Sequence, residues 1–192
     1  CEGTEWTYSW YAPHDVQGLI NLMGGRSMFN DKLTECFEKG YYVHDNEPPL
    51  HYAYLFNYSG EPWKSQAWCR KIVNENYSNT PGGIPGNDDL GAMSSWFVLS
   101  AMGFYPVSPG TPVYEIGSPL FEEVIIHLSN GKDFTVKASN NNAKNPYIQS
   151  ATINGHALSH PWISHEDITN GSNIHFTMGP KKKKKWGTKP SD

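Results

Sequence analysis

Residues 90–107 read LGAMSSWFVLSAMGFYPV, and the change of character within this stretch decides the fold class. Up to Met102 the apolar residues occupy nearly every side of a helical period, which is typical of a helix buried inside a larger body. After Phe104-Tyr105-Pro106, Gly and Pro become frequent, and apolar residues alternate with polar ones as they do in strands. The sequence therefore predicts an α+β fold with a helical part first, a β-rich part second and a boundary near residue 106.

Upstream of this stretch, further helices are predicted from apolar residues at helical spacing and from Ser, Pro and Gly at the helix ends. The predicted helices cover residues 15–23, residues 27–39 with Ser27 as the cap, residues 50–58, and a segment that begins at Pro62. Helices that alternate with loops in this way indicate helical hairpins.

Downstream of residue 106 the sequence predicts strands separated by turns. The strands are expected at residues 113–116, 123–128, 134–138, 148–153 and 174–178, with turn signals at Asn130-Gly131, Asn154-Gly155 and Asn170-Gly171. Because hairpins joined by such turns build antiparallel sheets, we expect residues 107–180 to form a small antiparallel β region. Residues 181–192, which contain the run Lys181–Lys185, are predicted to be a basic flexible tail.

The composition narrows the classes of protein to be considered. The 192 residues include 15 Lys and Arg against 19 Asp and Glu, a net charge of −4. A nucleic-acid binder would normally show a concentrated basic face, so we expect no nucleic-acid partner. No run of 18 apolar residues occurs, so no membrane span is predicted. The 7 Trp, 11 Tyr and 8 Phe often lie beside polar residues, which suits either a sugar site or an ordinary aromatic core.

Three segments carry most of the acidic and amide residues that fit no apolar period: residues 2–10, 44–47 and 86–91. Each precedes a helix. In a helical barrel, the loops at one end can face a common pocket. We refer to these segments below as the first, second and third loops.

The third loop contains Asn87-Asp88-Asp89. Adjacent carboxylates repel each other, so one of them tends to bind a cation or keep a proton. With Asn46 and Glu47 of the second loop, these residues offer oxygen ligands for Ca²⁺. The alternative is structural, with Asp88 or Asp89 capping the helix near Leu90. The second loop has a similar alternative, a turn closed by the Asn side chain.

The first loop places Glu2 among aromatic residues such as Trp6. A carboxyl group that is desolvated by aromatic rings has a raised pKa, which a general acid needs near neutral pH. The alternative is a surface glutamate. His14, which follows this loop, could contact a sugar hydroxyl or cap a helix.

Taken together, these segments resemble glycoside hydrolase family 92, the calcium-dependent exo-acting α-mannosidases. The matching stretches are residues 2–10 (EGTEWTYSW), Pro13-His14-Asp15, Asn46-Glu47-Pro48, residues 86–96 (GNDDLGAMSSW) and residues 103–107 (GFYPV). The resemblance implies that residues 1–106 are the last helices of an (α/α)₆ barrel. It also implies that an N-terminal β-sandwich and the earlier barrel helices lie outside this sequence, so the fragment by itself need not be active.

The resemblance also implies roles for individual residues. Glu2 matches the general acid, and Asp89 matches the general base, with Asp88 as the alternative position. Asn46, Glu47 and Asp89 match the Ca²⁺ ligands. Substrate contacts are expected from His44, Asp45, Trp6 and His14. Some members carry a carboxylate where Asn87 stands, and the run of lysines near the end is also unlike the family.

The expected reaction is inverting hydrolysis that releases mannose from an α-linked glycan, with α-1,2-linked N-glycan or mannan chains as the expected substrates. The expected location is secreted, periplasmic or cell-surface. A rival interpretation is a non-catalytic module that binds carbohydrate or has a structural role. A sugar phosphorylase would need Arg or Lys near the base, and the three loops show none.

Overall fold

The computed structural model describes residues 3–189, and the helices come first along the chain. Within this range the α-helices are α1 (Glu5–Tyr8), α2 (Val16–Leu22), α3 (Arg26–Glu38), α4 (Leu55–Tyr58), α5 (Pro62–Asn76), α6 (Ala92–Met102) and α7 (His165–Thr169). A 3₁₀ turn, Tyr52–Tyr54, leads directly into α4. None of the helices described between residues 3 and 189 is both long enough and apolar enough to cross a bilayer.

Local signals explain where the helices begin and end. The Asp15 carboxylate accepts a hydrogen bond from the Gly18 amide at 2.8 Å and caps α2. Pro62 stands at the first position of α5, where a missing N–H costs nothing. Two expected boundaries differ: α3 begins at Arg26 with Gly25, not Ser27, at the cap, and the helix predicted at residues 50–58 is the 3₁₀ turn followed by α4.

The strands follow α6. They are β1 (Phe104–Tyr105), β2 (Val113–Ile116), β3 (Glu123–His127), β4 (Asp133–Ser139), β5 (Tyr147–Ile153), β6 (His156–Ala157), β7 (Trp162–Ser164) and β8 (Asn173–Gly179). All five predicted strands are present as β2, β3, β4, β5 and β8. The short strands β1, β6 and β7 and the helix α7 carry too few residues to show a period in the sequence.

The strands form two sheets. A three-stranded antiparallel sheet has the order β1-β2-β7, and a five-stranded sheet has the order β3-β4-β8-β5-β6. In the second sheet β8 pairs parallel to β4 and antiparallel to β5. The prediction of a purely antiparallel β region is therefore wrong. The strands β4 and β5 run in opposite directions on either side of β8, so β8 must be parallel to one of them. Asn170-Gly171 follows α7 and joins no hairpin.

The described residues bury two apolar cores, one among the helices and one against the sheets. The helical core centres on fully buried rings, among them Trp10, Phe29, Tyr54 and Trp96. The sheet core contains Phe134, Phe176 and residues of both sheets. The mixed helical and sheet class of the prediction is confirmed, while closure of an (α/α)₆ barrel stays a prediction.

Buried polar side chains of the helical part reach into the β region. The Asn57 amide nitrogen donates to Glu115 Oε2 at 2.8 Å and to the Ile116 carbonyl at 3.0 Å. The Gln66 side-chain oxygen accepts from the Ile148 amide at 3.0 Å. Each contact replaces a hydrogen bond to water that the polar group loses on burial. Together these contacts fix α4 and α5 against the two sheets.

The segment predicted as a tail contains two buried residues within the described part, Trp186 and Gly187. Lys181–Lys185 are exposed, whereas Trp186 belongs to the sheet core. Its Nε1 donates to the Leu158 carbonyl at 2.9 Å. The run of lysines is therefore followed by a side chain, that of Trp186, which packs into the β region and hydrogen-bonds to it.

Candidate functional site

The first loop packs against residues on either side of the second loop. Trp6, on α1, stacks on Tyr41 with ring centroids 4.6 Å apart and planes at 27°. Lys32 Nζ lies 5.7 Å from the Trp6 ring centroid. The Tyr52 hydroxyl donates to the Thr7 carbonyl. Glu2, the predicted general acid, lies outside the described residues 3–189.

A pocket of about 310 Å³ lies between these two loops. The first loop contributes Gly3, Thr4 and Thr7 to its lining, and the second contributes Asp45 and Asn46. Two of the predicted second-loop site residues thus line the same pocket as Gly3, the neighbour of Glu2 in the sequence. A pocket of this size and mixed lining can accommodate a sugar ring.

The second and third loops also touch each other. Gly86 has φ +63°, and a Cβ atom built on it would meet the Asp45 carbonyl oxygen at 2.1 Å. Only glycine allows this approach, because any side chain would collide with the backbone of the second loop. The position of Gly86 therefore fixes the third loop against Asp45.

The two adjacent carboxylates of the third loop have different surroundings. Asp88 accepts hydrogen bonds from the Ser94 amide at 2.8 Å and the Ser94 hydroxyl at 3.1 Å, in the first turn of α6. Asp89 and Leu90 have positive φ values of 47° and 57°. Within residues 3–189 no hydrogen bond or ion pair reaches the Asp89 side chain. The predicted capping role thus fits Asp88, and the Asp89 carboxylate is left to react or to bind.

His44 is buried, with 3% of its surface exposed. The Tyr42 hydroxyl lies 2.6 Å from Nδ1, and the Tyr77 hydroxyl lies 2.7 Å from Nε2. Burial lowers the pKa of His44 to about 3, so the ring is neutral at pH 7. The sequence did not predict either tyrosine as a partner of His44. Tyr77 is 33 residues away from His44, and no motif connects it to the second loop.

His14 lies apart from the pocket between the first two loops. It is exposed and lines a separate pocket of about 130 Å³ together with Tyr58 and Val113. The neighbouring Asp15 caps α2. The structure thus brings together the segments around Trp6, Asp45 and Asp89, and it places His14 elsewhere.

The predicted Ca²⁺ ligands fit the ion in kind but not in number. Asn46, Glu47 and Asp89 offer oxygen donors, which a hard cation prefers. The Asn46 side-chain oxygen already accepts a hydrogen bond from the Glu47 amide at 2.8 Å. Across residues 3–189, no three His, Cys, Asp or Glu side chains cluster closely enough to hold a metal. These residues therefore supply only part of the six to eight oxygens that Ca²⁺ takes.

Comparison with known proteins identifies the family. Residues 1–180 match the family described as the glycosyl hydrolase family 92 catalytic domain. This match covers most of the sequence, and the chain belongs to glycosyl hydrolase family 92.

Solved structures of this family share the fold. A GH92 α-mannosidase from Bacteroides thetaiotaomicron superimposes with a TM-score of 0.94 at 41% identity, over 98% of this chain and 26% of its own. An inverting GH92 mannosidase from Bacteroides thetaiotaomicron VPI-5482 gives a TM-score of 0.91 at 36% identity, over 100% of this chain and 29% of its own.

A fungal relative matches at a similar level. A protein of Arthroderma benhamiae, named an uncharacterized secreted glycosidase, is 40% identical over 190 residues, which is 97% of this chain and 24% of the relative. The chain therefore spans only about a quarter of the length of the relatives it matches.

Proposed function

We propose that the enzyme containing this chain is an inverting α-mannosidase that releases mannose from α-linked glycans. The observation that carries the proposal is the proximity of the three loops: the first and second loops line one pocket, and Gly86 of the third packs on Asp45. Acid–base hydrolysis needs carboxylates from separate segments around one site, and this proximity supports such an arrangement. Relatives named as mannosidases, one of them solved in complex with mannoimidazole, support the choice of sugar.

Asp89 is the proposed general base. Its carboxylate has no partner among the described residues, whereas the Asp88 carboxylate is engaged by Ser94. In an inverting reaction the base takes a proton from water, and the water oxygen attacks the anomeric carbon from the face opposite the leaving group. Asp88, next in sequence and directed to α6, cannot perform this step while it caps the helix.

Glu2 is the proposed general acid that protonates the leaving oxygen. It precedes Gly3, which lines the pocket between the first two loops. An inverting enzyme holds its two carboxyl groups roughly 6.5–9.5 Å apart, so that water fits between the base and the sugar. Residues from the first and third loops suit such a separation better than the adjacent pair Asp88 and Asp89.

The remaining roles follow from the same loops. Asp45 lines the pocket, and Trp6 stacks on Tyr41, which also lines it; both Asp45 and Trp6 are proposed to contact the sugar. We further propose that α-1,2-linked mannose of N-glycans or mannan is the substrate. The enzyme is proposed to act outside the cytoplasm as a secreted, periplasmic or cell-surface protein, which agrees with the name of the fungal relative.

Asn46, Glu47 and Asp89 are proposed to contribute oxygens to a bound Ca²⁺, with further ligands from parts of the enzyme beyond this chain. Such an ion would bind sugar hydroxyls and assist distortion of the ring. Calorimetric titration of chelator-treated intact enzyme with Ca²⁺ tests this directly. We expect binding that Glu47→Gln weakens. Full turnover in excess chelator, with no heat of binding, would reject the role of the ion.

The catalytic assignment is tested by mannose release from an aryl α-mannoside and from α-mannobiose. In the intact enzyme, Asp89→Asn is expected to lower kcat/KM by about 10²–10⁴-fold, which is the usual contribution of a general base. The isosteric change Asp88→Asn is expected to cost much less. Glu2→Gln should lose turnover mainly on the substrate with the poorer leaving group, and unchanged turnover would remove Glu2 from the acid role. Binding of mannosides without hydrolysis by the unsubstituted enzyme would favour a carbohydrate-binding module.

A further inference from the structure

His44 links the second loop to the start of α6 through a chain of hydrogen bonds. The Tyr42 hydroxyl lies 2.6 Å from Nδ1 of His44, and the Tyr77 hydroxyl lies 2.7 Å from Nε2. The Tyr77 hydroxyl in turn donates to the Met93 carbonyl at 3.0 Å. The chain therefore runs from the second loop, through the end of α5, to the first turn of α6.

The chain has a fixed direction. A carbonyl oxygen only accepts, so the single proton of the Tyr77 hydroxyl is committed to Met93. The Tyr77 oxygen must then accept from Nε2–H of His44. Nδ1, 2.6 Å from the Tyr42 hydroxyl, then accepts from it. This arrangement gives a partner to both ring nitrogens and to both hydroxyl protons.

The same turn of α6 also holds the third loop through hydrogen bonds. Met93 is followed by Ser94, whose amide and hydroxyl both donate to the Asp88 carboxylate. Asp88 is adjacent to the proposed base Asp89. A continuous path of hydrogen bonds and backbone thus runs from His44, which is two residues from Asn46, to the residue before Asp89.

Packing keeps the His44 ring in place. The ring centroid lies 4.3 Å from that of Trp96 and 5.5 Å from that of Tyr77, both in edge-on contacts. With both nitrogens engaged and almost no exposed surface, His44 has no free group to offer a sugar.

We propose that His44 is a positioning residue that fixes Asn46 and Glu47 relative to Asp89, and that it does not bind substrate itself. The inference rests on the proposed function, because His44 would control the distance between the proposed Ca²⁺ ligands Asn46 and Glu47 and the proposed general base Asp89. Loss of the link should displace the second loop from the third, and displacements of about 1 Å can cost about 10²-fold in rate.

Kinetics of the intact enzyme on an aryl α-mannoside test this role. His44→Leu removes both hydrogen bonds and should lower kcat by about 10–100-fold per folded molecule. His44→Gln places an amide donor near the position of Nε2 and should restore much of kcat. Tyr77→Phe should match His44→Leu, and the double variant should lose little more, since both changes break one chain. If His44→Leu does not fold, the kinetics of Tyr77→Phe test the same chain of hydrogen bonds.

Tyr54→Phe is the matched control. The Tyr54 hydroxyl is buried and donates to Ser100 Oγ at 2.8 Å, in the last turn of α6, at the end of the helix opposite the third loop. Its loss should lower the melting temperature without changing kcat. An increase in KM alone for His44→Leu would assign His44 to substrate binding and overturn the inference.

The failure of this inference is distinct from failure of the proposed function. If the unsubstituted enzyme releases mannose while His44→Leu and Tyr77→Phe keep its kcat, only the positioning role is rejected. If the unsubstituted enzyme releases no mannose, the proposed function is rejected, and the positioning role is rejected with it.

Discussion

The carboxylate of Asp88 accepts two hydrogen bonds from Ser94, one from the amide at 2.8 Å and one from the hydroxyl at 3.1 Å. The amide belongs to the third residue of α6, one of the N–H groups that a helix cannot satisfy internally. Asp88 therefore caps α6 from outside the helix, and its negative charge lies at the positive end of the helix dipole. Of two neighbouring carboxylates, one maintains the structure and the other remains available.

The first prediction concerns this cap. Asp88→Ala should lower the free energy of unfolding by about 1 kcal/mol, the usual cost of losing a capping side chain. Ser94→Ala removes only the hydroxyl contact and keeps the amide bond, so its effect should be smaller. Denaturant unfolding of the intact enzyme measures both. An equal or larger effect for Ser94→Ala would show that the amide contact does not stabilise the helix.

A second prediction concerns Arg70, whose buried guanidinium joins α5 to the β region. It donates to Asn141 Oδ1 at 2.8 Å, to Ser118 Oγ at 3.1 Å and to the Pro119 carbonyl. Burial lowers the pKa of Arg70, yet the group stays charged. Arg70→Met would leave Asn141 Oδ1 and Ser118 Oγ without their buried donor, whereas the Pro119 carbonyl still accepts from Asn141 Nδ2, at a cost of about 3 kcal/mol.

The neighbour of Arg70 on α5 supplies the control for that experiment. Lys71 is exposed, forms a long ion pair of 3.9 Å with Glu75 and lies 4.9 Å from the centroid of the Trp68 ring. Lys71→Met should change stability by no more than about 1 kcal/mol. Melting temperatures of the two variants measure the difference, and similar shifts for both would contradict the assigned role of Arg70.

A third prediction is a pH dependence of stability from His51. Burial lowers the pKa of His51 from 6.5 to about 4, although the nearby Trp10 carbonyl opposes the shift. At pH values between about 4 and 6.5, His51 binds a proton in the unfolded chain but not in the folded chain. Stability is therefore complete above about pH 6.5 and falls as the pH drops towards 4, by up to about 1.4 kcal/mol per pH unit.

Replacing the ring removes that dependence. His51→Gln keeps a donor for the Trp10 carbonyl, 3.2 Å from Nε2 in the parent, but does not titrate. Thermal unfolding at about pH 7, 6 and 5 should show a shallower decline for His51→Gln than for the parent. His156→Gln, at an exposed position, is the control and should follow the parent. Parallel curves for the parent and His51→Gln would refute the prediction.

Local features of the sequence predicted most of the fold. Pro62 and Asp15 are signals that act within one turn, so they can be read without the partner elements. The place of β8 between β4 and β5 could not be predicted, because pairing between strands depends on contacts far apart in the sequence.

The three loops could be recognised in the sequence in a similar way, and the roles of their residues stay predictions. Motifs indicated the residues of the three loops, and the adjacent pair Asp88 and Asp89 already suggested two different roles. Which of them caps α6 depends on the positive φ at Asp89 and on the contact with Ser94, which only the structure shows. The contacts of His44 with Tyr42 and Tyr77 join residues with no shared motif, so they could not be predicted from the sequence.

The anomer released by the intact enzyme tests the central proposal most directly. Inverting hydrolysis of an α-mannoside yields β-mannose first, and the α anomer appears only as the sugar equilibrates in water. Proton NMR during the first minutes of the reaction distinguishes the two. Our account predicts that the β anomer appears first and that Asp89→Asn abolishes it. Initial release of α-mannose, or undiminished release by Asp89→Asn, would contradict the account.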